Sequence, residues 1–242
     1  VEGAAAAQEV VEPDREQGFA GVSVGEVSTR NELIYQADGR KTLRFLARAP
    51  SIGYADFPER YLQAKIVYVC PMDHEVSLEG IHRLSLLGRT MVVDLGGFGG
   101  ATSADHPLAK DGAELRDLCP YFHVVKGSIE DLGHILGAAA GDEEALADRI
   151  LGFGARVVVV TLGARGAYVR TGERGRRYPP YLGQQADVVD QTGAGDCFSA
   201  GFLFEYGRSQ DAFSAALYGN AVTSFVIERT GGVLAARMPG RA

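Results

Sequence analysis

Four consecutive valines, Val157–Val160, most restrict what this chain can fold into. A strand that is apolar at every position is buried on both faces, which is typical of a parallel sheet covered by helices. Similar apolar strands recur at 65–70, 90–95 and 121–126, and helical segments separate them. This alternation predicts a doubly wound α/β fold with a mostly parallel sheet, whose ligands bind beyond the carboxyl ends of the strands.

The composition of the chain limits the classes of molecule that it is expected to bind. A net charge of −7 over 242 residues argues against a general nucleic-acid or membrane-surface binder, so we expect small-molecule partners. The chain has no apolar run near the roughly 20 residues of a membrane span. Its three cysteines show neither disulfide nor zinc spacing, and a reducing cytoplasm fits them best.

Three regions of the chain differ in composition and in sequence pattern. Residues 1–20 are alanine-rich and acidic and form a poorly defined N-terminal segment. Residues 21–50 contain short strand-like pieces with a predicted hairpin turn at 37–39, which indicates a small antiparallel β lid. Residues 51–242 alternate between helices and strands and form the α/β core, which we expect to bind a nucleotide.

The segment Thr192-Gly193-Ala194-Gly195-Asp196 joins a short apolar strand to a long apolar helix. Its small residues allow successive backbone N–H groups to point outward at the helix N-terminus, where the helix dipole also attracts an anion. A carboxylate beside a bound phosphate can accept the hydroxyl proton in phosphoryl transfer to an alcohol. The alternative makes Asp196 a simple helix cap and the glycines a means of close packing. A cap needs no three small residues before it, which favours the anion site.

Three further segments follow predicted strands at the same edge of the sheet. Asp94–Gly100 combines a carboxylate with a glycine-rich backbone, which fits either a ligand cradle or a mobile loop. Lys126–Asp131 ends a strand with a lysine and opens a helix with acidic residues, although capping by Ser128 explains this pattern fully. Thr161–Gly166 offers glycines for a tight reversal, which an ordinary hairpin also uses.

Residues 188–202 read VVDQTGAGDCFSAGF, which resembles the second signature of the ribokinase-like, phosphofructokinase-B type carbohydrate kinases. The order of the other segments agrees with it: the lysine segment at Lys126, then TLGARG, then DQTGAGD, then a helix with Asn220, then Gly231. The resemblance covers most of the chain. It implies a ribokinase-like fold and transfer of the γ-phosphate of ATP to a hydroxyl of a sugar, sugar acid or nucleoside.

The resemblance also implies roles for individual residues. The implied general base is Asp196, and the implied anion hole consists of the backbone amides of Gly193, Ala194 and Gly195. The implied ATP site comprises Lys126, Ser128, Thr161, Gly163, Gly166 and Asn220, the last near the adenine. Asp190 and Thr192 are implied ligands of a potassium or sodium ion, and Asp131 belongs to the site of a magnesium ion that bridges the phosphates.

The chain departs from the family pattern at several positions. Ser128 and Asp131 stand where relatives carry asparagine and glutamate, and Gln191 replaces a small residue or proline. The family's amino-terminal strand, with its substrate-binding aspartate, and the Gly-Gly signature after it have no counterpart here. We therefore expect the N-terminal part of the family fold to be missing from this sequence.

Two other functions stay open at this point. One is a nucleotide-binding, catalytically weak relative that acts as a sensor or regulatory subunit. The other is an unrelated α/β binding module that holds a phosphate without chemistry. Tyr35 and Phe45 alternate along the predicted lid, which fits either a lid that closes over a sugar ring or a sheet that pairs two copies in a homodimer.

Overall fold

The computed structural model describes residues 26–35, 41–100, 113–137, 142–181 and 188–231. The strands are β1 (Arg30–Tyr35), β2 (Lys41–Ala47), β3 (Ile66–Val69), β4 (Thr90–Asp94), β5 (Val124–Ser128), β6 (Val157–Thr161), β7 (Ala167–Thr171) and β8 (Gly175–Tyr178). The α-helices are α1 (Leu78–Ser85), α2 (Ala113–Leu118), α3 (Ile129–Leu136), α4 (Glu143–Gly152), α5 (Ala194–Ser209) and α6 (Ala212–Ile227). Among the described residues, no helix has both the length and the apolar character needed to cross a membrane.

The main sheet has six strands in the order β3-β4-β5-β6-β7-β8. The first four are parallel, and β7 and β8 are added as antiparallel hairpin strands. The predicted α/β fold with a mostly parallel sheet is therefore confirmed. The hairpin predicted around TLGARG is also present, because β6 and β7 pair through the short turn between them.

Helices cover both faces of this sheet, and each face has its own apolar core. On one face, α1 to α4 contribute Ile81, Leu115, Leu132 and Leu146. On the other face, α5 and α6 pack their aromatic and small residues against the valines of the sheet. The four valines of β6 divide between these two cores, with Val158 and Val160 facing the first and Val157 and Val159 the second. Burial on both faces explains why this strand is apolar throughout.

A separate antiparallel pair, β1 and β2, forms the small sheet that the sequence predicts before the core. The Arg48 guanidinium, just after β2, forms an ion pair with the buried carboxylate of Asp73 in the core. The predicted turn at 37–39 and the first strand-like residues, 21–25, lie outside the described residues, as does the side chain of Tyr35.

Element boundaries differ from the sequence expectations at several places. Strand β5 continues past Lys126, its predicted end, to Ser128. The helix predicted at 58–64 is a short 3-10 helix, Glu59–Gln63, because the segment has no apolar stripe to bury. Helix α1 begins later than expected because Ser77 caps it, its hydroxyl accepting from Gly80 N at 3.0 Å. Helix α3 ends at Gly137, whose left-handed conformation stops it.

Candidate active site

Several candidate residues lie in register along the carboxyl edge of the parallel strands. Asp94, at the end of β4, pairs with Lys126 of β5. Ser128, at the end of β5, pairs with Thr161 at the end of β6. This edge is where an open α/β sheet binds its ligands.

Lys126 and Asp94 form an ion pair at this edge, with Lys126 Nζ 2.5 Å from Asp94 Oδ2. The lysine side chain is 9% exposed and the aspartate side chain 13%. Asp94 is held from two further directions, because Gly96 N donates to Oδ1 at 3.1 Å and the Tyr68 hydroxyl approaches Oδ2 at 3.5 Å. The aliphatic part of Lys126 lies in an apolar crevice next to Phe198. The charged pair is therefore fixed in a largely dry environment.

Two residues near this pair have raised pKa values. Burial, and then the negative charge of Asp94, raises the pKa of the Tyr68 phenol far above its ordinary value, so its hydroxyl stays a hydrogen-bond donor. Partial burial raises the pKa of the exposed Cys70 thiol, with further contributions from the charges of Asp94 and Asp196. The electrostatic influence of both carboxylates on one thiol shows that the ends of β3 and β4 lie near the start of α5.

Ser128 and Asp131 form the turn into α3. Ser128 Oγ accepts from Asp131 N at 3.0 Å as the helix cap, and its hydroxyl donates to Asp131 Oδ2 at 2.6 Å. The other carboxylate oxygen of Asp131 lies against the backbone of Gly100, where an added Cβ would come within 2.6 Å of it. The segment Leu95–Gly100 is thus packed against Asp131, with Gly96 its only partly exposed residue.

The start of α5 presents the most accessible candidate residues. Gly193 precedes the helix with a φ of 77°, a left-handed conformation that favours glycine. The Ala194 N–H donates to the Gln191 carbonyl at 3.1 Å. The N–H groups of Gly195 and Asp196 follow in the first turn, where backbone amides have no acceptor within the helix. The Asp196 side chain is exposed, so the carboxylate and these amides share one accessible helix end.

Lys126 links the two groups of residues. A methyl group built on Gly195 would lie 3.5 Å from Lys126 Nζ, so the ammonium sits beside the first turn of α5. The turn itself is tied down, because Ser199 Oγ donates to the Gly195 carbonyl at 3.0 Å. An anion at this helix end would therefore meet backbone amides, the helix dipole and one lysine.

Asp190 organises the segment before α5. Its carboxylate accepts from Thr192 N at 2.9 Å and from Gly231 N at 3.2 Å, and Val189 N donates to the Ile227 carbonyl at 2.8 Å. Hydrogen bonds from the Thr192 backbone and side chain, and then from Gly231, lower the pKa of the Asp190 carboxyl below its ordinary value. These contacts bring 188–192 and 227–231 together, and the first of these segments contains Asp190 and Thr192, the implied ligands of the monovalent cation.

The remaining candidates lie toward β7 and β8. Thr161 is partly exposed at the end of β6, and Gly163–Arg165 form a 3-10 turn that closes at the buried Gly166. Asn220 on α6 is 7% exposed, and its side-chain amide donates to the Pro179 carbonyl at 3.0 Å. The Asn220 amide thus holds the segment that follows β8.

Tyr68 and Cys70 have no role among the sequence predictions, and Asp94 appears there only in a possible ligand cradle, yet the structure places all three around Lys126. For Asp94 a signal exists, because a carboxylate that ends a buried strand is followed by glycines. Its pairing with Lys126 depends on the register between β4 and β5, which the sequence does not display. Within the described ranges, no group of three or more His, Cys, Asp or Glu side chains is arranged to hold a metal ion.

Comparison with characterised proteins identifies several relatives. The chain is 31% identical to a cytidine kinase of Thermococcus kodakarensis over 181 residues, which is 74% of this chain and 61% of that protein. It is 29% identical to an aminoimidazole riboside kinase of Salmonella typhimurium over 177 residues, 72% of this chain and 47% of that protein. The matched region thus spans about half to three fifths of the length of these relatives.

Structural similarity and a family match complete the comparison. The structure resembles that of Arabidopsis thaliana ribokinase complexed with ribose and ATP, with a TM-score of 0.64 and 18% identity over 87% of this chain and 66% of that one. At this identity the likeness establishes the ribokinase-like fold alone. Residues 98–237, more than half of the chain, match the pfkB family carbohydrate kinase domain, and they include both α5 and its glycine turn. On these grounds the chain belongs to the pfkB family of carbohydrate kinases.

Proposed function

We propose that this protein transfers the γ-phosphate of ATP to a hydroxyl of a sugar, sugar acid or nucleoside. Asp196 is the general base, and the backbone amides of the Gly193–Gly195 turn hold the transferring phosphate. The observation that carries the proposal is the exposed Asp196 carboxylate in the first turn of α5, next to amides without an acceptor within the helix. A base beside an anion hole serves phosphoryl transfer, whereas a pure binding site has no use for it.

The proposed reaction places negative charge near the start of α5. The helix dipole, the turn amides and the Lys126 ammonium all favour that charge, and Asp196 accepts the proton released by the attacking hydroxyl. Gly195 and Asp196 are the better amide donors in this turn, because the Ala194 N–H is already bonded to Gln191. Thr161, Gly163 and Gly166 line the nucleotide, and Asn220 contributes by holding the Pro179 segment.

Magnesium is proposed to bind with the nucleotide phosphates. Asp131 fits contact with the ion through water, since one carboxylate oxygen accepts from Ser128 and the other lies against Gly100. Magnesium usually retains several waters in such sites, so indirect contact agrees with its chemistry. The ion, when bound, neutralises charge on the phosphates.

A potassium or sodium ion is proposed beside Asp190. Backbone carbonyls and carboxylate oxygens are suitable ligands for such hard cations, and the hydrogen bonds that Asp190 accepts from Thr192 N and Gly231 N bring the backbone of 188–192 and 227–231 together. Thr192 belongs to the same turn, directly before the anion hole. Turnover in potassium chloride should exceed turnover in tetramethylammonium chloride of equal ionic strength, and equal rates would contradict this site.

The proposed acceptor class is supported by two relatives, whose names specify a nucleoside and a riboside. We propose that 21–50 acts as a lid, with β1 and β2 positioned by the Arg48–Asp73 ion pair. The Arg48 guanidinium carbon lies over the Phe45 ring, 4.9 Å from the ring centroid, so Phe45 lies next to that ion pair. The same sheet is a candidate homodimer surface.

The test is an ATP-consumption screen with the protein expressed from its complete reading frame. Acceptors are ribose, fructose, a deoxy-gluconate, cytidine and other nucleosides, and phosphorylated product is identified by mass spectrometry. Product formation that depends on Asp196 supports the proposal. ATP binding without transfer to any acceptor would instead favour the regulatory or sensor alternative.

A further inference from the structure

We propose that Asp94 is a positioning residue, which holds the Lys126 ammonium beside the first turn of α5 so that it contacts the terminal phosphate of the donor. The inference rests on the proposed function but concerns a residue to which that function gives no role. It follows from the geometry of three elements, β3, β4 and β5, around the start of α5.

First, the Lys126 side chain has lost most of the rotamer freedom of an exposed lysine. A lysine side chain ordinarily keeps considerable rotamer freedom, and ordering it has an entropic cost. Here the Lys126 stem is confined in an apolar crevice and its Nζ lies 2.5 Å from Asp94 Oδ2. The carboxylate therefore fixes the direction of the ammonium before any ligand arrives.

The second step concerns what holds the carboxylate. Asp94 Oδ1 accepts from Gly96 N at 3.1 Å, and the Tyr68 hydroxyl approaches Oδ2 at 3.5 Å. A carboxylate held by two groups besides the lysine transmits a fixed geometry, as a residue that supports a binding group must. Gly96 and Tyr68 belong to different elements, so the anchor is independent of Lys126 itself.

The third step concerns where the ammonium sits. Nζ lies next to Gly195, 3.5 Å from the position of a Cβ there, and Gly195 belongs to the turn that offers its amides to an anion. An ammonium has three N–H donors, and the contact with Asp94 occupies one of them. The others remain available to a phosphate at the helix end.

The experiment is a double-mutant cycle read by ATP and ADP affinity. Calorimetry measures both nucleotides with the parent, Asp94→Asn, Lys126→Met and the double variant. Asparagine keeps the shape of Asp94 but removes its charge. Asp148→Asn is the matched control, because Asp148 also pairs with a basic residue, Arg170 at 2.7 Å, on a surface away from the site.

We expect the parent to prefer ATP over ADP and each single variant at the site to lose about 10-fold to 100-fold of that preference, the usual strength of a charge-assisted hydrogen bond. The double variant should be no worse than Lys126→Met, since without the ammonium Asp94 has nothing to position. Asp148→Asn should keep the parent preference. Where transfer is measurable, kcat should fall in Asp94→Asn while KM for the acceptor stays unchanged.

Two results would overturn the inference: an Asp94→Asn protein with the parent preference, or a double variant whose loss is the product of the single losses. If Asp94→Asn does not fold, Asp94→Glu, which displaces the carboxylate by one methylene, enters the same cycle with Lys126→Met. A parent that discriminates ATP through this pair yet phosphorylates no acceptor would support the inference while contradicting the proposed function. If the parent phosphorylates acceptors but the cycle shows no coupling between Asp94 and Lys126, the inference is wrong and the proposed function stands.

Discussion

The two sides of the candidate site differ in how much of their hydrogen-bonding capacity is already used. The lysine side, formed by Tyr68, Asp94, Lys126, Ser128 and Asp131, is packed and internally bonded. The helix side, formed by 193–196, carries an exposed carboxylate and a helix end whose first amides have no acceptor within the helix. Both sides meet at Lys126 and Gly195.

This difference indicates that the two sides of the site have separate roles. A site that must hold a phosphate needs rigid support, and it also needs donors that are not already satisfied. The lysine side supplies support from bonds that exist before the ligand binds. The helix side supplies backbone N–H donors that have no acceptor within the helix. Substitutions on the first side should therefore affect stability as well as activity, and substitutions on the second side should affect activity alone.

The largest expected effect separates activity from stability on the helix side. Asp196→Asn should lower turnover by about 10²-fold to 10⁴-fold, because a general base contributes that much. The melting temperature should change little, since the side chain is exposed. Steady-state kinetics and thermal unfolding measure the two quantities. Turnover within a few-fold of the parent would remove Asp196 from the role of base.

The next effect is a loss of stability on the lysine side. Asp94→Ala leaves the buried Lys126 ammonium without its carboxylate, and we expect a loss of about 3 kcal/mol in the free energy of unfolding. Asp196→Ala is the contrast and should change it by no more than about 0.5 kcal/mol. Denaturant unfolding of both variants measures the difference. Equal stabilities would mean that the lysine side is not a rigid support.

A smaller effect tests whether Ser128, which caps α3, also contributes to turnover. Ser128→Ala and Ser77→Ala each remove a serine that accepts a backbone N–H at 3.0 Å, and each should cost about 1 kcal/mol. Ser77 caps α1 and bonds to Gly80 and Ile52 rather than to a residue of the site, so only Ser128→Ala should reduce turnover. Unfolding and kinetic measurements on the pair give both values. A loss of turnover in both variants would point to stability as its cause.

The smallest effect concerns pH. The pKa of Asp190 is lowered in the folded protein by hydrogen bonds from Thr192 and Gly231, so its ionised form stabilises the fold above the ordinary aspartate pKa of about 4. That contribution disappears as the pH falls through the lowered pKa. Asp190→Asn should therefore melt below the parent at pH 7, with a gap that narrows toward pH 3. A gap independent of pH would show that charge is not involved.

Much of this molecule follows from local sequence pattern. Apolar strands such as β6 and the helices between them predict the α/β fold, and the TGAGD segment predicts the helix end with its exposed carboxylate. Patterns of this kind are decided by burial and by turn chemistry within a few residues. The 3-10 helix Glu59–Gln63 was expected as an α-helix, because its length and Pro58 alone do not distinguish the two.

By itself the sequence determined the order of the strands and helices of the core and the residues that open α5, because strand burial, helix capping and glycine turns are short-range properties. Only the tertiary structure decided that Asp94 pairs with Lys126 and that this pair reaches Gly195. Those contacts join residues 32 and 69 positions apart, and the register between strands and the packing of α5 on the sheet set them. Contacts of that separation depend on how the whole core packs, and no local pattern encodes them.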